Sequence, residues 1–92
     1  MTQLSVIAPC FNEQGNVAEL ARRTLATFDG AAIDGELIVI DDGSSDATWQ
    51  RIEQISDERV RGVRHPTNRG IEGGWLSGLD AARGELVCLI DS

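Results

Sequence analysis

Apolar positions along the chain fall into two kinds of run. Leu4-Ser-Val-Ile-Ala-Pro9 and Glu36-Leu-Ile-Val-Ile-Asp41 are short, rich in β-branched residues and end at polar loops, the pattern of fully buried strands. Between them Val17, Leu20, Ala21, Thr24, Leu25 and Phe28 recur at helical spacing, and Asn16 with Glu19 three positions on predicts a capping-box start. A second helix carrying Trp49, Ile52 and Ile55 is predicted behind an Asp46 cap. The strand that follows, Arg59-Val-Arg-Gly-Val-Arg64, is weaker, and its alternating arginines mark an exposed edge. A third helix is predicted from Ile71 to Arg83, burying Ile71, Gly74, Trp75, Gly78, Leu79 and Ala82. A fourth buried strand, Glu85-Leu-Val-Cys-Leu-Ile-Asp91, closes the chain. Trp49 and Trp75 both fall on apolar helical faces and are expected in the core.

Strands alternating with helices predict right-handed βαβ units and therefore an α/β fold, a doubly wound, Rossmann-like parallel sheet of four strands and three helices with helices on both faces. No repeat or linker divides residues 1–92, which are expected to form one unit. A buried strand that stops at Asp91-Ser92 is expected to belong to the front part of a longer protein. The glycines at 70, 73, 74 and 78 each weaken a helix, so close packing of backbone against the sheet is expected there.

Composition narrows the function. With 41% hydrophobic and 25% charged residues the chain is neither a disordered tail nor a low-complexity segment. Fifteen acidic residues against eight arginines and no lysine leave a formal charge of −7, which disfavours a nucleic-acid partner. No apolar run approaches the roughly 20 residues of a bilayer span, and Met1-Thr-Gln-Leu4 lacks a basic leader. Cys10 and Cys88 form no CxxC, and His65 cannot complete a zinc site with them, so both are expected to be buried, reduced thiols of a cytoplasmic protein.

In open parallel sheets, ligands bind beyond the carboxyl ends of the strands. Here those segments are polar: Pro9-Cys-Phe-Asn-Glu13, Asp41-Asp-Gly-Ser-Ser-Asp46, His65-Pro-Thr-Asn-Arg-Gly70 and Asp91-Ser92. Glu13, Asp41, Asp42, Asp46 and Asp91 are thus expected to converge on one rim, where their mutual repulsion calls for a cation, a basic partner or ligand donors. Sugar and base edges supply O–H and N–H donors, and Mg²⁺ or Mn²⁺ can bridge carboxylates to a diphosphate. Neither GxGxxG, GxxxxGK[ST] nor GxSxG occurs. Taken singly the motifs have plainer readings. The aspartate-rich segment can be a strand exit, turn and helix cap, Asn12-Glu13 a solvated loop, and Asn68-Arg-Gly70 a helix start.

Taken together, Val6-Ile-Ala-Pro-Cys-Phe-Asn-Glu13, Leu37-Ile-Val-Ile-Asp-Asp-Gly-Ser-Ser-Asp-Ala-Thr48, Asn68-Arg-Gly70 with Gly74 and Gly78, and Gly84-Glu-Leu-Val-Cys-Leu-Ile-Asp91 resemble the N-terminal half of family 2 glycosyltransferases. The likeness is greatest to dolichyl- and polyprenyl-phosphate sugar transferases and covers essentially the whole chain. It implies a GT-A fold, a nucleotide-diphosphate-sugar donor and inverting transfer assisted by Mg²⁺ or Mn²⁺. Carried over by position, Pro9, Phe11 and Glu13 contact base or ribose, and Ile40 with Asp42 holds them from the second strand. Asp91 becomes the first aspartate of a DxD motif, near ribose and metal, with Ser92 its middle residue and the second aspartate beyond the chain. Phe11 stands where the family often has tyrosine, so ring packing survives but no phenolic hydroxyl is there to bond a ligand. The acceptor, a polyprenyl phosphate or a polysaccharide, and the general base are expected in the following half, so these 92 residues alone are expected to be inactive. The parent is then placed at the cytoplasmic face of a membrane. The competing reading is a non-catalytic nucleotide-binding or self-assembling α/β module that pairs through its exposed strand edge. A nucleotidyltransferase fits less well, because the segment after the first strand has neither a Gly-rich loop nor a basic residue.

Overall fold

The computed structural model describes residues 1–91. It contains β1 (Leu4–Cys10), α1 (Val17–Gly30), β2 (Gly35–Asp42), α2 (Thr48–Glu53), β3 (Val60–His65), α3 (Gly70–Ala81) and β4 (Leu86–Leu89). All strand pairs are parallel, in the order β3-β2-β1-β4. Among the described residues no helix is long and apolar enough to cross a membrane.

The middles of the two central strands, residues 6–10 and 37–40, are apolar because both of their faces are covered. Val6, Ala8, Cys10, Leu37 and Val39 face α1 and α2, packing with Val17, Ala21, Phe28 and Ile52. Ile7, Ile38 and Ile40 face the other way, towards Trp75, Ala81 and Ala82 on and just after α3. The period of two continues to the end of β2, so the consecutive Asp41 and Asp42 leave on opposite faces. That alternation decides which carboxylate reaches the site.

α3 lies close against the sheet because two of its buried positions carry no side chain. A Cβ on Gly74 would stand 2.7 Å from Pro9 Cβ, and one on Gly78 would run into Ile7. Beyond the amino ends of the strands, a buried ionic cluster ties the turn after α3 to the sheet. Glu36 accepts hydrogen bonds from the Ser5 hydroxyl at 2.6 Å, the Arg83 N–H at 2.7 Å and the Arg61 guanidinium at 2.8 and 3.0 Å. Arg61 also donates to the Ala81 carbonyl at 2.5 Å, and the Gly84 N–H donates to the Ser5 hydroxyl at 2.8 Å. Burial opposes ionisation of Glu36, but the three donors outweigh it and hold the carboxyl below its ordinary range.

Several expectations need correction. β4 is not buried: every residue from Leu86 to Leu89 is exposed, Cys88 among them. It sits at the sheet edge, and α3 covers β1 and β2 instead. For the same reason Ile71 and Leu79, expected to face inward, are 44% and 45% exposed. Trp49 and Trp75 are only partly buried, although both pack against core clusters. The capping box is not made, because the Asn16 amide donates to Glu13 at 2.7 Å and Glu19 pairs with Arg22 and Arg23. At α2, Asp46 accepts from the Thr48 N–H at 2.9 Å, but Ala47 occupies the cap position. The arginine-bearing β3 does form an edge, as its pattern predicts.

Candidate functional site

Three polar loops beyond the carboxyl ends of the strands are stitched to one another. Asn12, with φ of 52°, aims its side-chain carbonyl at the Ser45 N–H, 2.9 Å away, while its own N–H donates to the Ser44 hydroxyl at 2.9 Å. The Glu13 N–H donates to the Thr48 hydroxyl at 2.9 Å. Gly43, with φ of 73°, is pressed against the loop after β3, where a Cβ would meet the Asn68 nitrogen at 2.6 Å. Only glycine serves there.

Between these loops lies a hollow of about 210 Å³. Pro9, Phe11 and Glu13 line it from the β1 side, Asp42 from β2, and Asp91 from the end of the chain. Asn68, Gly70 and Ile71 close it from the start of α3. Phe11 is 48% exposed and offers a ring face, while Glu13, Asp42 and Asp91 supply acceptors from three segments remote in sequence.

Of the residues named from the sequence, the hollow gathers Pro9, Phe11, Glu13, Asp42 and Asp91. Ile40 is not among them, because its side chain is fully buried in the cluster under α3. Ser92 lies outside the described residues. The rim of five carboxylates is reduced to three. Asp41 turns to the other face and is wholly buried, accepting from the Ser44 N–H at 3.1 Å with Arg64 Nε 3.8 Å from its second oxygen. Asp46 is occupied at the start of α2, where chiefly the Thr48 hydroxyl, with backbone N–H groups, keeps its carboxyl below the usual range. A larger hollow of about 340 Å³ lies on the α1 side of the β1 exit, beside Cys10, Val17 and Leu20. Glu13, Asn16, Glu19 and Arg23 line it as well, but Glu19 and Arg23 are already paired with each other, so the smaller hollow, where acceptors from three strand ends converge, is the better candidate.

Asp42 is the most constrained group of the site. Its Oδ1 accepts from His65 Nδ1–H at 2.7 Å and from the Arg69 N–H at 2.8 Å, and its Oδ2 accepts from the Gly70 N–H at 2.9 Å. Burial disfavours its charge, yet these donors prevail and keep the carboxyl below the ordinary aspartate range. With the proton on Nδ1, His65 Nε2 accepts from the Ser77 hydroxyl at 2.7 Å. Sequence reasoning placed His65 in a polar segment at this end of the sheet but gave it no role, and it did not single out Ser77. The parallel register that sets His65 opposite Asp42 is the signal that finds them, and it is not written in either segment alone.

Among the described residues no group of three or more His, Cys, Asp or Glu side chains gathers in a metal-binding cluster. The donor set still suits a hard divalent ion of the Mg²⁺ kind, which takes one or two protein carboxylates and completes its shell with phosphate and water oxygens. Asp91 is exposed and lines the hollow.

The sequence profile described as "Glycosyl transferase family 2" matches residues 5–92. Over 92 residues the chain is 34% identical to an undecaprenyl-phosphate 4-deoxy-4-formamido-L-arabinose transferase of Shewanella sediminis, covering 97% of this chain and 28% of that protein. It is 30% identical over 91 residues to a dolichol-phosphate mannosyltransferase of Pyrococcus furiosus, covering 98% of this chain and 25% of that one. The chain thus spans about a quarter of the length of these relatives. Among solved structures, TarS 1-349 of S. aureus in complex with UDP superposes with a TM-score of 0.84 at 31% identity, covering 99% of this chain and 27% of that chain. The mannosyltransferase PcManGT of Pyrobaculum calidifontis, in complex with GDP-Man and Mn²⁺, gives 0.82 at 25% identity, covering 97% and 27%.

Proposed function

The chain belongs to glycosyl transferase family 2, and from that premise we propose that it forms the donor-binding part of a glycosyltransferase acting on a nucleotide-diphosphate sugar. The observation that carries the proposal is the meeting of Phe11, Glu13, Asp42 and Asp91 at one hollow beyond the parallel strands. In this reading Pro9 and Phe11 pack against the base, an apolar platform that favours a flat ring. Glu13 and Asp42 accept from base N–H or ribose O–H groups. Asp91 holds a divalent ion together with the diphosphate. Such an ion, when bound, stabilises the charge that develops on the departing nucleoside diphosphate.

The whole protein then transfers the sugar, with inversion at the anomeric carbon, to an acceptor for which a polyprenyl phosphate is our first choice. The names of the Shewanella and Pyrococcus relatives support that choice, and a polysaccharide is the second. With a lipid-linked acceptor, the protein works at the cytoplasmic face of a membrane. One feature favours the competing reading of a self-assembling module: among the described residues β4 is an edge strand, with Leu86, Val87 and Leu89 exposed. The transferase reading is preferred because such a module has no need for acceptors from three separate segments to meet in one hollow.

Calorimetric titration with UDP and with GDP, each with Mn²⁺, tests the proposal. For a site whose acceptors are formed while part of its wall is supplied elsewhere, a saturable heat with a dissociation constant of about 0.1–1 mM is expected for at least one nucleotide. A folded sample that gives no heat with either nucleotide at millimolar concentration contradicts it.

A further inference from the structure

Asp42 carries a hydrogen-bonding arrangement that donor binding alone does not require. Ser77, His65 and Asp42 form a continuous chain, with 2.7 Å from the Ser77 hydroxyl to His65 Nε2 and 2.7 Å from His65 Nδ1 to Asp42 Oδ1. The order is that of a hydrolytic triad, but Ser77 is no nucleophile. It lies within α3, where the surrounding N–H groups are spent on the helix and none is left to receive an oxyanion. The far end of the chain is where it acts.

A carboxylate has about four acceptor positions, two on each oxygen. On Asp42, Oδ1 is filled by His65 Nδ1–H and the Arg69 N–H, whereas Oδ2 carries only the Gly70 N–H, itself shared with Asn68 Oδ1 at 3.0 Å. The remaining acceptor position is therefore on Oδ2, and Asp42 and Gly70 both line the hollow. We propose that His65, held by Ser77, is a positioning residue that saturates Asp42 Oδ1 and so presents Oδ2 as the single acceptor for an N–H or O–H of a bound nucleotide. This rests on the nucleotide-binding reading above and adds the group that orients the acceptor. His65 is 3% exposed and sits behind the carboxylate, so it acts on ligand only through Asp42. Without its donor, Oδ1 has one partner, and the carboxylate can rotate about Cβ–Cγ to share its free positions between both oxygens.

The test uses the full chain with UDP–Mn²⁺ and GDP–Mn²⁺, following whichever nucleotide the unaltered protein binds. Asparagine places an amide N–H near the position of histidine Nδ1, and leucine fills similar space with no donor. His65→Leu is expected to weaken binding about tenfold, while His65→Asn stays within about threefold of the parent. Ser77→Ala, at the outer end of the chain, is expected to cost less than His65→Leu. A merely structural role predicts instead that affinity follows the melting temperature of each variant, whatever its donor. Equal loss in His65→Asn and His65→Leu, or none in His65→Leu, overturns the proposal while leaving the nucleotide site standing. Failure of the parent to bind either nucleotide overturns both.

Should His65→Leu not fold, the ring itself reports, because His65 is the only histidine in the sequence. Its nitrogen resonances should show a protonated Nδ1 that moves when the nucleotide is added. Ring signals that stay still while backbone amides around the hollow shift would refute the positioning role.

Discussion

Replacing Asp42 with alanine is expected to weaken nucleotide binding by more than about tenfold and to lower folding stability by about 3 kcal/mol. Both effects come from one carboxylate. In the protein it receives three donors, from His65, Arg69 and Gly70, and it also lines the hollow. Alanine leaves the His65 ring, 3% exposed, without its acceptor and removes the tie between the end of β2 and the start of α3. Asp42→Asn separates the two effects. It keeps an oxygen for His65 and Arg69 but turns an N–H towards that of Gly70, so about half the stability is expected to return while binding remains impaired. Chemical denaturation and calorimetry on the two variants check this. A Kd for Asp42→Ala equal to that of the parent would remove Asp42 from the site.

Glu36→Ala is expected to have the largest effect on folding alone, about 3–5 kcal/mol, with little direct effect on the hollow at the other end of the strands. The carboxylate is 5% exposed and joins Ser5, Arg61 and the Arg83 N–H, so its loss leaves the Arg61 guanidinium, still tied to the Ala81 carbonyl, beside an empty space. A domain this small has only about 5–15 kcal/mol in hand, and a large part of it would go. The pH dependence follows from the direction of the shift. Glu36 has a lowered pKa in the folded chain, so its stabilisation is fully present above the unfolded value of 4.5 and is lost as pH falls through the folded value. Denaturation midpoints should therefore fall more steeply for the parent than for Glu36→Gln on acidification from about pH 5 to pH 3. Parallel curves for the two proteins would show that the cluster contributes nothing.

Much of this architecture is legible in the sequence. β1, β2 and α1 could be read because their signals are local: runs of β-branched residues between polar loops, then Val17 to Phe28 at helical spacing. β4 could be located but not its burial, which depends on what covers a strand and not on its own composition. The site was legible in outline, since the segment after each parallel strand must reach the same end of the sheet. The error over Asp41 had an available remedy. Ile38 and Ile40 share a face with Asp42, and counting by twos along β2 puts Asp41 on the other side. No such count finds His65, whose partner depends on the pairing of β3 with β2, or Asn12, whose value lies in a positive φ and a turn made by a remote loop.

The central claim is that acceptors from β1, β2 and the end of the chain meet at one nucleotide-binding hollow. Nuclear magnetic resonance titration of the isotope-labelled chain with UDP or GDP, first with Mg²⁺ and then with traces of Mn²⁺, tests it most directly. The amides of Phe11, Glu13, Asn68, Gly70 and Asp91 are expected to shift together with one dissociation constant, and paramagnetic broadening is expected to centre on Asp91. Shifts confined to the α1-side hollow around Val17 and Leu20, or broadening remote from Asp91, would contradict it.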